Sequence, residues 1–342
     1  KDKRVTCAIT KMDMNGKLAK PVKAAIIQYK DRDDEPNYIK WQISEDTSKI
    51  LLATLADDND DDLMAKTSVT VMDNDANKIW SRGVTLPYSQ EQLTLKSWTL
   101  ANNGDVYLLA KVYDERRSKE TTRKNGKKKP AYKLVIFRFD ATTEKPKEYV
   151  LALQDKFVTD VTFKITPQND LVCAGFYSND TKGVVQGLFF TRINGENGTV
   201  EVASKKELSD KDLANLDTEK DRSGDKGLDS EFEFNNIILR EDGGIVVVAE
   251  EAYSYTTTYR SGNTWVTRTT YVNNEIFVSS VSPKGDIEWV RMIPKKQIFT
   301  DIKLFNGYAY MVSGSNMYFL YNDDEDNIGR PLTEKARRIS SF

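Results

Sequence analysis

Apolar and polar positions along this chain fall into short strand-like runs separated by Asn, Gly and Asp, and two phrases recur. The first is a strand, a tight polar turn and a strongly apolar strand. It reads KSWTLANNGDVYLLAKVY (96–113), VTFKITPQNDLVCAGFYS (161–178) and FNNIILREDGGIVVVAEEAY (234–253), with weaker copies WQISEDTSKILLATLA (41–56) and TDIKLFNGYAYMVSG (300–314). NG, ND and DG between β-rich runs predict hairpins, because these residues tolerate positive φ. The second phrase is an alternating strand, a polar turn and a shorter strand: TSVTVMDNDANKIWSRGVTL (67–86), YKLVIFRFDATTEKPKEYVLAL (132–153), GLFFTRINGENGTVEVASKKEL (187–208) and EIFVSSVSPKGDIEWVRMI (275–293). Trp80 and Trp289 occupy equivalent places just after its turn. VTCAITKMDMNGKLAKPV (5–22) is a further copy with no first phrase ahead of it.

Joined, the two phrases predict four antiparallel strands per repeat, over about 41–86, 96–153, 161–208 and 234–293. The second strands (VYLLA, LVCAG, IVVVA) are apolar on successive residues, the pattern of a strand covered on both faces. A propeller blade lies between two neighbours and meets that condition, whereas a β-sandwich buries one face of each sheet and alternates more cleanly. The expected fold is therefore all-β, a single β-propeller domain over 1–342. Its C-terminal half-blade (300–320) would be closed by the N-terminal one (5–22), giving five blades, or six if the natural chain is longer.

Within such a repeat the first-to-second and third-to-fourth strand turns share one rim, and all of them are short. The long insertions, 56–66, 114–130, 206–233 and 253–274, fall at the other rim. Loops on a rigid scaffold usually carry binding residues, so that rim is the candidate functional face. YSYTTTYRSGNTWVTRTTYVNN (253–274) has four tyrosines, a tryptophan and almost no aliphatic residue, and predicts a projecting two-stranded arm turning at SGN (261–263). Tyr253, Tyr255 and Tyr259 share one parity, and Trp265 and Tyr271 share one on the return arm; a register that pairs those faces makes an aromatic stripe. Tyr and Trp dominate interface hot spots, so Tyr253, Tyr255, Tyr259, Trp265, Arg268 and Tyr271 are candidate partner-binding residues. A stripe lying against its own scaffold is the structural alternative.

From Arg116 to Lys129 the second insertion carries eight Lys/Arg. It reads as a solvated loop, or as a contact for an acidic partner or lipid headgroups through Arg116, Arg117, Lys127 and Lys128. It lacks interleaved aromatics, and with 50 Lys+Arg against 52 Asp+Glu the net charge of −2 provides no field for nucleic acid. The acidic loop at Asp57, Asp58, Asp60, Asp61 and Asp62 has calcium-type ligands but lacks the Gly and Glu of an EF-hand, so solvated charge is the plainer reading and calcium the weaker one. In 206–233, LSDKDLANL predicts a short helix capped by Ser209.

Histidine is absent, which excludes Ser-His-Asp and Cys-His catalytic systems and His-containing zinc sites built from this chain alone. The two cysteines, Cys7 and Cys173, lie in strand contexts and read as small apolar residues, with a disulfide open. No apolar run is long enough to span a bilayer as a helix, and no signal peptide is visible. A glycosidase needs two facing carboxylates, and no spacing picks out a pair. SEDTS (44–48) departs from the sialidase Asp-box at Ser48 and Leu51.

FNNIILREDGGIVVVAEEAY and YVNNEIFVSSVSPKGDIEWVRMIPKKQ resemble the secreted or envelope-associated β-propeller-like proteins of Bacteroidota, which have no general assigned activity. The matching positions are Asn236, Ile237, Gly243, Gly244, Ala249, Glu250, Asn274, Ile276, Gly285, Trp289, Pro294, Lys295 and Gln297. The resemblance implies a place outside the cytoplasm, as a lipoprotein or as a subunit of an outer-membrane assembly, and brings no catalytic residues. A lipidated N-terminal cysteine is not visible, since Cys7 sits inside a strand-like run. The expected function is a non-catalytic scaffold that docks other envelope proteins, with a secreted carbohydrate-binding or glycoside-cleaving propeller as the alternative.

Overall fold

In a computed structural model, the structure describes residues 3–29, 39–56, 63–124, 127–151, 153, 155–181, 184–209, 212, 219–220, 226–228, 231–332 and 334–339. The protein is all-β. Strands β1 (Lys3–Ile9) and β2 (Val22–Tyr29) form a two-stranded sheet. Strands β3 (Ile39–Ile43), β4 (Lys49–Ala56), β5 (Met64–Asp73) and β6 (Lys78–Ser89) form an antiparallel meander. Next come β7 (Leu93–Leu100), β8 (Val106–Tyr113), β9 (Thr121–Lys124), β10 (Lys127–Pro130), β11 (Tyr132–Phe139) and β12 (Lys147–Leu151). Of these, β7, β8, β11 and β12 make a second meander, and β9 and β10 pair with each other. A third meander consists of β13 (Phe157–Ile165), β14 (Leu171–Ser178), β15 (Gly187–Ile193) and β16 (Val200–Glu207). After the short pair β17 (Glu219–Lys220) and β18 (Lys226–Gly227), a fourth meander follows with β19 (Phe232–Leu239), β20 (Ile245–Ser261), β21 (Thr264–Val281) and β22 (Ile287–Ile293). Strand β23 (Gln297–Thr300) also pairs with β21, and β24 (Tyr308–Ser313) pairs with β25 (Asn316–Tyr321).

The four meanders coincide with the four double phrases of the sequence, and the hairpin chemistry explains why. The first turn of each carries a residue at positive φ in the same place: Thr47 at 58°, Gly104 at 94°, Asn169 at 67° and Gly243 at 85°. In three of them the left-handed residue closes a turn and the next residue re-forms the ladder: Gly104 N donates to Ala101 O, while Ala101 N donates to Asp105 O at 2.9 Å. Asn169 and Gly243 repeat this within Thr166–Asp170 and Arg240–Gly244, a type I turn followed by a G1 bulge. The pairing expected between the two terminal half-sheets is not among the ladders observed: β1–β2 and β24–β25 each have two strands.

By contact density the chain falls into two compact units. One comprises residues 1–155 with the turns 164–171 and 193–199; the other comprises 156–163, 172–192 and 200–342. In the first unit the core lies between consecutive meanders. Leu51, Val69 and Val71 of the first pack with Trp98, Leu108, Ala110 and Phe137 of the second, all buried. In the second unit Val172, Ala174 and Phe176 of β14 pack against Ile245, Val247 and Phe277, with the Phe176 and Phe277 rings 5.3 Å apart edge to face. Strands β8 and β14 are buried along almost their whole length, as their unbroken apolar runs predict.

A repeated arginine accompanies these cores. In the first unit Arg82 donates to the carbonyls of Asp140 and Ala141, and Arg138 donates to Gly195 O at 2.6 Å and Glu196 O at 3.3 Å. In the second, Arg192 donates to Gly243 O. Each guanidinium reaches a turn belonging to the next meander in sequence, satisfying carbonyls that a tight turn leaves unpaired. Arg138 also pairs with the largely buried Asp105 at 2.8 Å.

Candidate partner-binding arm and its buried root

The arm begins where β20 outruns its sheet. A register shift between Glu250 and Ala252 bends the strand, and Ala252 N turns to Glu231 O at 3.1 Å. On the other side β21 changes neighbours. Its residues Ile276–Val281 pair with β22, and Thr270–Asn273 pair with β23, which props the root of the arm. Asp301, at φ 64°, ends that support. Its amide donates to Thr269 O at 2.7 Å, and its carboxylate accepts from Thr269 N at 2.9 Å and Arg268 Nε at 3.0 Å. From Tyr253 to Trp265 every residue is exposed.

The turn settles which side chains share a face. SGN as a three-residue loop would set Tyr259 opposite Trp265 and Tyr253 opposite Tyr271. The structure instead turns in two residues, Gly262 and Asn263, with positive φ at Gly262 alone, the II′ pattern suited to a twisted hairpin. The register moves by one, so Tyr259 faces Val266 and Arg260 faces Trp265. The single aromatic stripe is therefore corrected to two faces. Tyr253, Tyr255 and Tyr259 share one with Arg268, opposite Thr257. Trp265 and Tyr271 share the other with Arg260 and the hydroxyl pairs Thr256–Thr269 at 3.1 Å and Thr258–Thr267 at 3.0 Å. Trp265 is 69% exposed and Tyr255 51%, while Tyr271 is half-buried, with the Lys303 ammonium 5.9 Å from its ring centroid.

Beneath the arm lies a polar network that the sequence reading did not single out. Lys295 and Glu250 form an ion pair inside the fold, and Lys295 Nζ also donates to Asn273 O at 2.8 Å and Gln297 Oε1 at 3.2 Å. Asn273 Nδ2 donates to Glu250 Oε2 at 2.8 Å and Asn273 Oδ1 accepts from Asn306 Nδ2 at 2.9 Å, while Gln297 exchanges hydrogen bonds with Gly307 and donates to Asn322 O. Burial pulls the Lys295 pKa down, and the neighbouring Glu250 opposes that shift. The network ties β20, β21 and β23 to the turn before β24. Glu250, Lys295 and Gln297 are all positions of the Bacteroidota resemblance; a lysine between Pro294 and a short apolar strand was the available signal.

The basic insertion is a ribbon where a solvated loop was the plainer reading. In β9–β10, Lys124 lies opposite Lys127 and Arg123 opposite Lys128. Like charges across a ladder oppose pairing, so the ribbon holds against its own repulsion. Lys127 and Lys128 are exposed, as are Arg116 and Arg117, which precede the ribbon; the Arg117 amide donates to Glu91 O at 2.8 Å. The acidic loop 57–62 lies outside the described residues, and with it the calcium reading. Among the described residues no group of three or more Asp, Glu or Cys has metal-binding geometry. Of the 206–233 insertion, the start of the expected helix is described: Ser209 N donates to Asp212 Oδ2 at 2.9 Å and Asp212 N to Ser209 Oγ at 3.2 Å, a reciprocal N-cap. Asp46 of SEDTS holds its own turn, accepting from Ser44 Oγ at 2.6 Å and Ser48 N at 3.0 Å. Both cysteines are free thiols, Cys173 fully buried. No helix among the described residues is long and apolar enough to cross a membrane.

No family model matches the chain, and no curated protein matches it. Solved structures with a similar course include a mutant Synechocystis apocarotenoid oxygenase, at 8% identity and TM-score 0.40 over 86% of this chain; this chain spans 57% of that one. The parainfluenza virus 5 hemagglutinin-neuraminidase ectodomain matches at 9% identity and TM-score 0.36, covering 85% of this chain and 73% of its own. A member of the DUF4221 family from Bacteroides vulgatus matches at 11% identity and TM-score 0.33, covering 84% and 75%. The structural neighbours thus include a Bacteroides protein. At TM-scores below 0.5 none of these likenesses assigns a fold or an activity.

Proposed function

We propose that the protein is a non-catalytic scaffold of the bacterial cell envelope that docks a partner protein through the β20–β21 arm. The observation that carries this reading is the arm itself: a ribbon with exposed Tyr253, Tyr255, Tyr259 and Trp265, borne on a root fixed by a third strand and a buried ion pair. Tyr and Trp bring large contact area at low conformational cost, and a pre-paired ribbon loses little entropy on binding. In the same reading the four meanders and the terminal hairpins are sectors of one β-propeller, supported by cores between consecutive sheets and by the repeated arginine contacts. The envelope location rests on the Bacteroidota resemblance, with the exposed cations of the β9–β10 ribbon as a second contact for an acidic surface.

The test replaces Thr257–Arg268 by a two-residue Asn-Gly turn and compares co-purifying proteins from native membranes. The scaffold reading expects an unchanged melting temperature and loss of a specific partner. Unfolding of the variant, or an unchanged set of partners, contradicts it.

A further inference from the structure

A second site lies apart from the arm, between the outer face of the fourth meander and the β24–β25 hairpin. It is a cleft of about 1050 Å³. Its floor is apolar, from Ile238, Val246, Val278, Met317 and Phe319, and its rim is polar, from Arg240, Asp242, Glu288, Trp289, Arg291 and Asn316. The rim is organised before any ligand arrives. Arg240 donates to Asp242 Oδ2 at 2.6 Å, to Ser280 Oγ at 2.6 Å and to Glu288 Oε2; Ser280 Oγ donates to the same Glu288 oxygen at 2.7 Å. The Arg240 hydrogen bond, followed by that from Ser280, holds the Glu288 carboxyl below the usual carboxylate range, so it is an acceptor at neutral pH.

What distinguishes this cleft is Trp289. Its counterpart in the first meander, Trp80, also follows a bulge in the fourth strand, but there the indole N–H donates to Gly104 O at 3.1 Å and the ring is half-buried. Trp289 sits opposite Ser280 in the same position, is 39% exposed, and its indole N–H has no protein partner among the described residues. Where one repeat closes over its tryptophan, the other leaves an indole beside an open space. Glu288 Oε1 and the Asn316 side-chain carboxamide are likewise without protein partners among the described residues, and Arg291 donates only to Val290 O, at 2.7 Å.

We infer that this cleft binds a neutral saccharide. A pyranose presents a C–H face that stacks on an indole, and hydroxyls that both donate and accept, which an ionised carboxylate, a guanidinium and a carboxamide complement. An anionic ligand fits poorly, since Arg240 and Arg291 are opposed on the lining by Glu241, Asp242 and Glu288. The inference goes beyond the docking reading and does not rest on it.

The experiment titrates the full chain by calorimetry with soluble neutral hexasaccharides of β-1,4-glucose, β-1,4-xylose, β-1,4-mannose and α-1,4-glucose. At least one should bind with Kd below about 1 mM, and Trp289→Ala and Glu288→Gln should each weaken it about tenfold while Tyr255→Ala leaves it unchanged. Trp289→Phe, which keeps an aromatic face, should retain part of the affinity and guards against a folding defect. No saturation by about 10 mM with any of the four, or binding indifferent to both cleft variants, overturns the inference. Because Tyr255→Ala tests the arm alone, loss of the docking reading leaves this result standing, and the reverse.

Discussion

The Lys295 ammonium lies 2.7 Å from the Glu250 carboxylate, with 0% and 5% of the two side chains exposed. Water screens neither charge, so the pair must be satisfied by the protein itself, and Asn273, Gln297 and Asn306 complete it. The same residues fasten the root of the arm to β23, which makes this pair the mechanical base of the proposed docking element.

Lys295→Met leaves Glu250 buried without its counter-charge and should cost about 3–5 kcal/mol of unfolding free energy. Adding Glu250→Leu removes the orphaned charge and should recover part of that loss. Urea unfolding of the single and double variants checks it; a double variant less stable than Lys295→Met contradicts the account.

Arg138 holds two turn carbonyls and the Asp105 carboxylate at once. Arg138→Met should destabilise by about 2–3 kcal/mol, since charged hydrogen bonds are lost and Asp105 is left largely buried. Arg123→Met, on the exposed basic ribbon, should change stability by less than about 0.5 kcal/mol. Equal effects of the two would remove the arginine contacts from the account of how successive sheets are held.

Asp140 predicts an acid limb. Burial alone would raise its pKa, but hydrogen bonds from the Thr142 hydroxyl and from the amides of Thr142 and Thr143 outweigh burial and bring it to about 2, below the ordinary aspartate value of 3.8. The unfolded chain therefore takes up the proton first. The stabilisation is present above pH 3.8 and is lost as pH falls toward 2. Asp46, also brought to about 2, by hydrogen bonds from the Ser44 hydroxyl and from Ser48, adds to the same window. Melting temperature against pH should fall less steeply there for Asp140→Asn than for the wild type.

Tyr255→Ala and Trp265→Ala remove side chains that are 51% and 69% exposed, so each should shift stability by no more than about 0.5 kcal/mol. If the partner reads one face of the ribbon, one of these variants should lose binding and the other retain it, because the register sets them on opposite faces.

Much of the fold was legible because its signals are local. The turns at Gly104, Asn169 and Gly243 announce their positive φ in sequence, and the continuous apolar runs of β8 and β14 state that both faces are covered. The faces of the arm were not legible. They depend on whether SGN turns in two residues or three, and one residue inverts every cross-strand neighbour from Tyr259 to Tyr253. The Lys295–Glu250 pair was hidden for a different reason: its members lie 45 positions apart in the chain, and a buried lysine looks in sequence like any exposed one.

The most direct test of the docking arm places a photo-crosslinking phenylalanine analogue at Tyr255, at Trp265 and, as a control away from the arm, at the exposed Ile79, in cells that make the protein. The account predicts one discrete protein adduct from an arm position and none from position 79. An absence of adducts along the arm, or the same adducts from all three positions, contradicts it.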